Sequence, residues 1–282
     1  RGGFFDLQDM TAFQRLCIVV NRSKKGAEAL AHTLKQAATE VGVQASVTLD
    51  HPILEGALSD ADLCCVIGGD GSLLGVAPEA FRSQVPVMGI NLGKLGFMAT
   101  SSAKQGEKKL LEILQGRNQR SERCMLRCVT CDGAEELGLN DVVFKSAEGN
   151  RLIELDVFAD DRLVTQYYSD GLVFSTPTGS TAYNLSAGGP LIDSEAEIIA
   201  MTPVCPHTLS NRSVVFGADT KLSVAVRDNG VPPQVTIDGR IIKNCQDLFP
   251  IEVSLCREKL TLIHSLDYVP FDVVRNKLGW DH

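Results

Sequence analysis

The stretch LCCVIGGDGSLLG, residues 63–75, decides the fold of the first part of the chain. Its apolar residues 63–67 predict a buried β-strand that leads into Gly68-Gly69-Asp70-Gly71, and residues with helical spacing follow. Glycines let the backbone approach a ligand closely, and the free N–H groups at the start of the next helix attract anions. The stretch therefore predicts a strand–loop–helix unit that binds phosphate.

The glycine loop matches neither of two common phosphate-binding motifs. A dinucleotide fingerprint would place a glycine where Leu74 stands, and a Walker A loop would need a Gly-Lys-Ser/Thr sequence. The distinguishing residue is Asp70, whose carboxylate repels phosphate unless it holds a divalent metal or accepts a proton from a hydroxyl nucleophile. Capping of the next helix is a third interpretation, and the loop alone does not decide among the three.

Strand and helix patterns alternate around this loop over residues 1–122. Apolar runs at residues 16–20, 45–49 and 85–90 predict further strands, and helical spacing occurs at residues 27–41, 72–81 and 104–114. Such alternation is typical of a Rossmann-like α/β domain with a parallel sheet.

The pattern changes over residues 123–258, which predict a mostly-β, sandwich-like domain. Short strands are expected at residues 137–144, 152–158, 163–168, 214–216, 222–226, 234–237 and 251–255, with turn sequences such as Asp238-Gly239 between them. Residues 259–282 contain another apolar run and Trp280, which need a surface to pack against. We therefore expect the chain to return to the first domain at its end.

Composition limits the partners and the compartment. The 282 residues carry a formal net charge of -8, which argues against a nucleic-acid partner. The longest uncharged stretch, residues 171–192, is rich in Ser, Thr, Gly and Pro and does not predict a membrane span. Nine cysteines in a chain of this length indicate reduced thiols in a cytoplasmic protein. An iron–sulfur site on Cys124, Cys128 and Cys131 is the less favoured interpretation, because alternate faces of a strand would separate the last two.

The second informative stretch is SDGLVFSTPTGSTAYNLSAGGP, residues 169–190. Its hydroxyl side chains can bind a ligand or cap a helix, and Tyr183 can stack on or bond to a base or ribose. A Ser/Thr-rich surface loop is the alternative. A long run of small uncharged residues directly after an Asp-Gly pair favours a binding site over such a loop.

Taken together, seven segments resemble the NAD kinase family, bacterial type, in content and order. They are GGDGSLL (68–74), NLGKLGF (91–97), LND (139–141), the 169–190 stretch, PHTLSNR (206–212), TIDG (236–239) and the closing LIH…DY…KLGW (262–280). The resemblance implies ATP-dependent phosphorylation of the 2′-hydroxyl of the adenosine ribose of NAD, giving NADP. It also implies a divalent cation, with Mg²⁺ accompanying ATP, and a homodimer or homotetramer.

The same resemblance implies roles for individual residues. Asp70 is the residue expected to deprotonate the ribose hydroxyl, and Gly68, Gly69 and Gly71 lie beside the nucleotide phosphates. Asn140 and Asp141 match the pair that binds the acceptor ribose, with Asp141 in place of the more common Glu. No metal site is expected on the chain itself, so the nucleotide would hold the cation. The other expected contacts with the dinucleotide are Asp170 near the nicotinamide half, Thr178, Thr181, Ala182, Tyr183 and Ser186 in the adenine and ribose pocket, and the variable Arg151 and Arg240.

Two other functions stay open at this stage. A lipid kinase can share the GGDG loop, but it would need an apolar acceptor tunnel, and the polar residues 175–186 argue against one. A non-catalytic NAD(P)-binding sensor would have no use for Asp70, and an activity assay separates it from a kinase.

Overall fold

The computed structural model describes residues 13–93, 95–146, 152–208, 210–227, 233–242 and 248–280, and the chain divides into two compact units. One unit extends to Glu122 and resumes at Leu260, and the other extends from Arg123 to Lys259. The described helices are α1 (Ala27–Glu40), α2 (Asp70–Leu74), α3 (Ala77–Arg82), α4 (Ala103–Leu114), α5 (Tyr183–Ser186) and α6 (Pro270–Leu278), with a 3₁₀ helix at Thr178–Thr181.

The described strands are spread over both units. They are β1 (Arg15–Val20), β2 (Gln44–Thr48), β3 (Leu63–Gly68), β4 (Val87–Asn91), β5 (Ser101–Ser102), β6 (Gln119–Val129), β7 (Glu135–Gly138), β8 (Asp141–Lys145), β9 (Ile153–Ala159), β10 (Arg162–Ser169), β11 (Gly171–Ser175), β12 (Ile198–Val204), β13 (Val214–Gly217), β14 (Leu222–Val226), β15 (Gln234–Ile237), β16 (Arg240–Ile241) and β17 (Ile251–His264).

The first unit is built on parallel strands in the order β2-β1-β3-β4. Helix α1 packs on this sheet through residues at helical spacing, among them Ala27, Ala31 and Leu34. Strand β3 is buried along its whole length, so its end at Gly68 is a fixed position from which the glycine loop begins. This is the predicted Rossmann-like arrangement, and it places the loop at the carboxyl end of a central strand.

The end of the chain returns to the first unit, as the sequence predicts. Leu262 pairs in parallel with Val87, and Leu260, Leu262, Ile263 and His264 are buried. The expectation that Trp280 also needs burial is wrong, since 54% of its surface is exposed. Helix α6 buries none of its residues.

The second unit consists of antiparallel strands in two groups. One sheet has the order β13-β12-β11-β8-β15-β16, and the other group contains the neighbours β10-β9-β14-β17 and the pair β6-β7. Side chains from both groups share one apolar core that includes Phe144, Leu155, Phe174 and Val224. The predicted α/β-plus-β-sandwich fold class is therefore confirmed. In the described ranges, no helix has the length and apolar character needed to cross a membrane.

Two predicted elements are interrupted in the structure. The helix expected at residues 72–81 is split into α2 and α3, and α2 begins at Asp70 itself. The single strand expected at residues 137–144 is split into β7 and β8 by a bend at Leu139 and Asn140. The break in the helix falls at Gly75 and Val76, whereas the bend in the strand includes Asn140, a residue singled out from the sequence.

Candidate functional site

The glycine loop of the first unit is held from inside by Ser72. The Ser72 hydroxyl accepts hydrogen bonds from the Gly69 N–H at 3.3 Å and from the Asn21 side-chain amide at 2.9 Å. A Cβ atom at Gly68 would lie 2.1 Å from the Ser72 Oγ, so only glycine fits there. At Gly71, in contrast, an added Cβ would meet no atom within 4 Å, which leaves open space beside the loop.

The carboxylate of Asp70 is clasped by the backbone of the segment that follows β4. Its Oδ2 accepts a hydrogen bond from the Phe97 N–H at 2.8 Å, and its Oδ1 accepts from the N–H groups of Met98 at 3.0 Å and Ala99 at 2.9 Å. A Cβ atom at Gly96 would lie 2.0 Å from Oδ1, so glycine is needed there for the close approach. A carboxylate has about four acceptor positions, so three donors fix its orientation and leave roughly one position open.

A buried histidine holds the far end of the same segment. The Thr100 hydroxyl lies 3.3 Å from the His264 Nδ1, and the Ser121 hydroxyl lies 2.9 Å from its Nε2. The His264 ring stacks on Tyr268 with 3.8 Å between centroids. The apolar run and the family resemblance both point to the segment around His264, but spacing alone does not predict that Thr100 and Ser121 meet it.

The bend between β7 and β8 in the second unit is held from two sides. The Asp238 carboxylate accepts hydrogen bonds from the N–H groups of Leu139 at 2.8 Å, Asn140 at 2.7 Å and Asp141 at 3.1 Å. On the other side, Thr176 donates its N–H to the Asn140 carbonyl at 2.9 Å and its hydroxyl to the Leu139 carbonyl at 2.6 Å. The backbone of the bend is therefore satisfied without any ligand.

The side chains at this bend carry polar atoms that lack partners. Asn140 and Thr178 are each 9% exposed, and neither the Asn140 Oδ1 nor the Thr178 Oγ1 has a hydrogen-bond partner. Thr178 lies next to Gly179, where an added Cβ would be 2.1 Å from the Asn140 carbonyl oxygen. Leaving a buried polar atom unsatisfied costs about 1–3 kcal/mol. A ligand with hydroxyl groups would recover that free energy.

Asp141 is the most perturbed carboxyl group of this region. Burial first, and then the nearby charge of Asp238, raise the pKa of Asp141 to about 7. Burial also raises the pKa of Asp238, but the three N–H donors and the charge of Arg240 oppose that rise. Because Asp238 has these stabilising neighbours, Asp141 is the carboxyl group of the two that is more easily protonated. A carboxyl group that titrates near neutral pH is characteristic of functional sites.

The hydroxyl-rich stretch after β11 divides into an inner and an outer set of side chains. Ser180 donates to the Pro177 carbonyl at 2.6 Å, and Asn184 donates to the Pro190 carbonyl at 2.9 Å and accepts from Thr202 at 2.7 Å. These inner residues hold the stretch together. The side chains left for a ligand are the half-buried Ala182, the exposed Ser186, and Tyr183, which is 41% exposed, whereas the half-buried Thr181 donates its hydroxyl to the Thr178 carbonyl at 3.2 Å. The Thr176 hydroxyl accepts a hydrogen bond from the Gly179 N–H at 3.0 Å at the start of the 3₁₀ helix, whereas α5 begins after Ala182 without a side-chain cap.

The remaining predicted contacts differ in how available they are. Asp170 is exposed between β10 and β11, and its N–H is bonded to the Val204 carbonyl at 3.0 Å. Arg240 donates to the Leu137 carbonyl at 2.8 Å and to the Ile237 carbonyl at 3.4 Å, so its guanidinium is already engaged near the bend. Arg151 lies outside the described residues.

Among the residues that the structure describes, no group of three or more His, Cys, Asp or Glu side chains is arranged to hold a metal ion. Of the three cysteines considered for a cluster, Cys124 and Cys128 are buried on β6 and Cys131 is exposed.

Comparison with known proteins identifies relatives over most of the chain. Residues 11–118 match the family described as the ATP-NAD kinase N-terminal domain, and residues 139–265 match the ATP-NAD kinase C-terminal domain. The NAD kinases of Pseudomonas fluorescens and Pseudomonas putida are each 41% identical to this chain over 224 residues, covering 78% of this chain and 76% of the relative.

Solved structures agree in fold. The yeast NADH kinase complexed with NADH has a TM-score of 0.79 and 24% identity, and the match covers 96% of this chain and 89% of that one. An NAD kinase from Archaeoglobus fulgidus in complex with ATP has a TM-score of 0.77 and 21% identity, and the match covers 94% of this chain and 98% of that one. At such identities these two structures establish the likeness of fold alone.

Proposed function

The chain belongs to the NAD kinase family, and we propose that it phosphorylates the 2′-hydroxyl of the adenosine ribose of NAD, with Asp70 as the general base. Membership of the family makes it an ATP-dependent phosphotransferase that converts NAD to NADP. The observation that carries the finer proposal is the buried, unpaired oxygen of Asn140, on a bend whose backbone groups are already bonded.

A ribose supplies what the bend lacks. Its hydroxyl groups can donate to the Asn140 Oδ1, and they can pair with the Thr178 hydroxyl. Asp141, next in the chain, accepts a further hydroxyl hydrogen when it is ionised. We therefore assign Asn140 and Asp141 to the acceptor ribose. The adenine and ribose pocket is assigned to Thr178, Thr181, Ala182, Tyr183 and Ser186.

Asp70 has the properties that proton removal requires. The proton of the attacking hydroxyl must leave as the new bond to phosphorus forms, and an oriented carboxylate can accept it. The three N–H donors from residues 97–99 fix that orientation, and Oδ2 accepts only one of them. We assign Gly68, Gly69 and Gly71 to the phosphate side, because the space beside Gly71 is open.

The divalent cation is proposed to arrive with ATP. Within the described ranges the carboxylates form no metal-binding cluster. We therefore propose no metal site on the described residues of the chain. Mg²⁺ bound to the triphosphate is part of the substrate, and it offsets the charge of the phosphates.

Other parts of the proposal rest on the family resemblance. Asp170 is assigned to the nicotinamide half of NAD, and Arg151 and Arg240 are assigned to the edge of the dinucleotide. A homodimer or homotetramer in the cytoplasm remains our prediction. The cytoplasmic part of this prediction is consistent with the free thiols, because no disulfide joins the cysteines in the part of the chain that the structure describes.

A direct assay tests the reaction and its position. The purified protein is incubated with ATP, Mg²⁺ and NAD, and NADP is detected with glucose-6-phosphate dehydrogenase. We expect NADP from NAD, and no phosphorylated product from an NAD analogue that lacks the 2′-hydroxyl of the adenosine ribose. Phosphorylation of that analogue would contradict the roles of Asn140 and Asp141. Binding of NAD without any turnover would favour a sensor over a kinase.

A further inference from the structure

Asp238 makes four hydrogen bonds to a single bend. Besides accepting from the N–H groups of residues 139–141, it donates its own N–H to the Asp141 carbonyl at 3.0 Å. It stands at the turn between β15 and β16 with φ of 48°, a left-handed conformation that favours Gly, Asn and Asp. The turn is anchored because β15 pairs with β8, the strand that follows the bend.

We propose that Asp238 is a positioning residue for the acceptor site: its carboxylate holds the backbone of residues 139–141 so that Asn140 presents its side-chain oxygen to the ribose. The inference rests on the acceptor-ribose roles proposed above for Asn140 and Asp141. Asp238 itself has no proposed contact with substrate, and its two oxygens accept the three backbone N–H donors.

Two features explain why an aspartate is needed at this position. Three N–H donors require two acceptor oxygens, and an asparagine would turn an NH₂ group toward at least one of them. The negative charge of Asp238 also acts on Asp141, the adjacent carboxyl group of the site. The charged groups that bear on this pair are Asp238 itself and Arg240, whose charge partly offsets that of Asp238.

The charge of Asp238 gives a second readout, which is the pH dependence of NAD turnover. Because it contributes to the raised pKa of Asp141, its removal should lower that pKa. The acidic limb of kcat/KM for NAD should then shift to lower pH. A loss of activity caused only by a weakened fold would instead affect the kinetics with NAD and with ATP alike, without a selective rise in the KM for NAD.

The test compares Asp238→Asn with Asp160→Asn. Asp160 is a matched control, since it also stands at a positive φ of 47° and accepts one backbone N–H, from Lys221 at 3.1 Å, but it does not bond to the bend. For Asp238→Asn we expect the KM for NAD to rise by at least about tenfold, because a buried donor loses its acceptor. The KM for ATP should change little. Asp160→Asn should behave as the wild type in both constants.

Amide hydrogen exchange provides a second measurement, and its result for the wild type does not depend on whether a variant folds. In the wild type, the N–H groups of residues 139–141 should exchange slowly, and in Asp238→Asn at least one of them should exchange faster. Rapid exchange of all three in the wild type would overturn the proposal, even if Asp238→Asn fails to fold. An unchanged KM for NAD and an unchanged pH profile in a folded Asp238→Asn would also overturn it.

Asn140→Ala separates this inference from the proposed function. If Asn140→Ala leaves the KM for NAD unchanged, the proposed ribose site is wrong. If Asn140→Ala raises that KM and Asp238→Asn does not, the ribose site stands and the positioning role of Asp238 is wrong.

Discussion

The carboxylate of Asp70 accepts a hydrogen bond from the backbone N–H of Phe97 at 2.8 Å. With the two hydrogen bonds from Met98 and Ala99, this contact ties the Asp70 side chain to the backbone of the segment that follows β4. Asp70 thus has a structural task as well as the proposed chemical one. Substitutions that change the carboxylate and substitutions that change the segment must be compared to separate the two tasks.

Gly96→Ala should disturb the clasp while keeping the carboxylate. The new methyl group would lie 2.0 Å from the Asp70 Oδ1, so the carboxylate or the segment must move. Overpacking of this kind costs about 1–3 kcal/mol, and we expect a lower melting temperature and a lower kcat. Gly217→Ala is the control, because a Cβ there meets no atom within 4 Å. Equal kcat values for the two variants would argue against the clasp.

Asn140→Ala and Asn184→Ala should have opposite effects, although the chemical change is the same. Asn140 has an unpaired buried oxygen, so its removal should leave the melting temperature nearly unchanged and raise the KM for NAD. Both polar atoms of Asn184 are bonded inside the unit, so its removal should lower the free energy of unfolding by about 1–3 kcal/mol. Thermal melting and NAD kinetics on both variants check this. A large loss of stability in Asn140→Ala would indicate a structural role instead.

Asp141→Asn should stabilise the protein in a pH-dependent way. The folded-state pKa of Asp141 is raised from 3.8 to about 7, so the folded protein binds the extra proton and loses stability as pH rises through that window. The shift corresponds to an upper limit of roughly 4 kcal/mol at pH 8. We expect Asp141→Asn to melt at a higher temperature than the wild type at pH 8 and at a similar temperature near pH 4.

The same substitution should impair NAD turnover, because the ribose loses an ionised acceptor. A stability gain with an activity loss would mean that the buried carboxylate is kept for function. A variant that is less stable than the wild type at pH 8 would contradict the raised pKa. Asp160→Asn, which changes an exposed carboxylate and keeps Asp141, should retain the pH dependence of the wild-type melting temperature.

Sequence patterns predicted the elements better than the contacts between them. The strand at residues 222–226 and the helix beginning at Ala27 follow directly from apolar spacing, because a periodic apolar face needs a core. The strand Ile198–Val204 was not predicted, since it has no clear alternation and follows a polar stretch. The full length of Ile251–His264 was also missed, because charged residues occur in its middle.

The candidate site was predicted only as far as local motifs reach. Asn140 and Asp141 could be identified from the family resemblance, whereas the role of Asp238 depends on a pairing about a hundred residues away in the chain, which only the fold reveals. The Asp238-Gly239 turn was recognised from the sequence as a turn signal. Nothing in its composition indicates that the aspartate faces three backbone donors. Likewise, Thr176 was recognised as a hydroxyl, but not as the residue that holds the bend.

Asp70→Asn should reduce kcat strongly while NAD still binds. The change removes the proton-accepting carboxylate, and general-base catalysis contributes about 10²–10⁴-fold, so kcat should fall by at least that range. The new NH₂ group would also face a backbone donor of the segment Phe97–Ala99, so a moderate fall in melting temperature is expected as well. Steady-state kinetics, NAD affinity and thermal melting on the same preparation measure the three effects.

Comparison with Gly96→Ala then assigns the loss to chemistry or to structure. Gly96→Ala disturbs the same clasp but keeps the carboxylate, so it should lose less kcat than Asp70→Asn for a similar change in melting temperature. If both variants lose kcat equally, the clasp accounts for the effect and Asp70 is not the base. Near-wild-type turnover of Asp70→Asn would also exclude it, because asparagine cannot accept the hydroxyl proton. A loss of kcat that is larger in Asp70→Asn than in Gly96→Ala is expected only if the carboxylate of Asp70 takes part in the reaction.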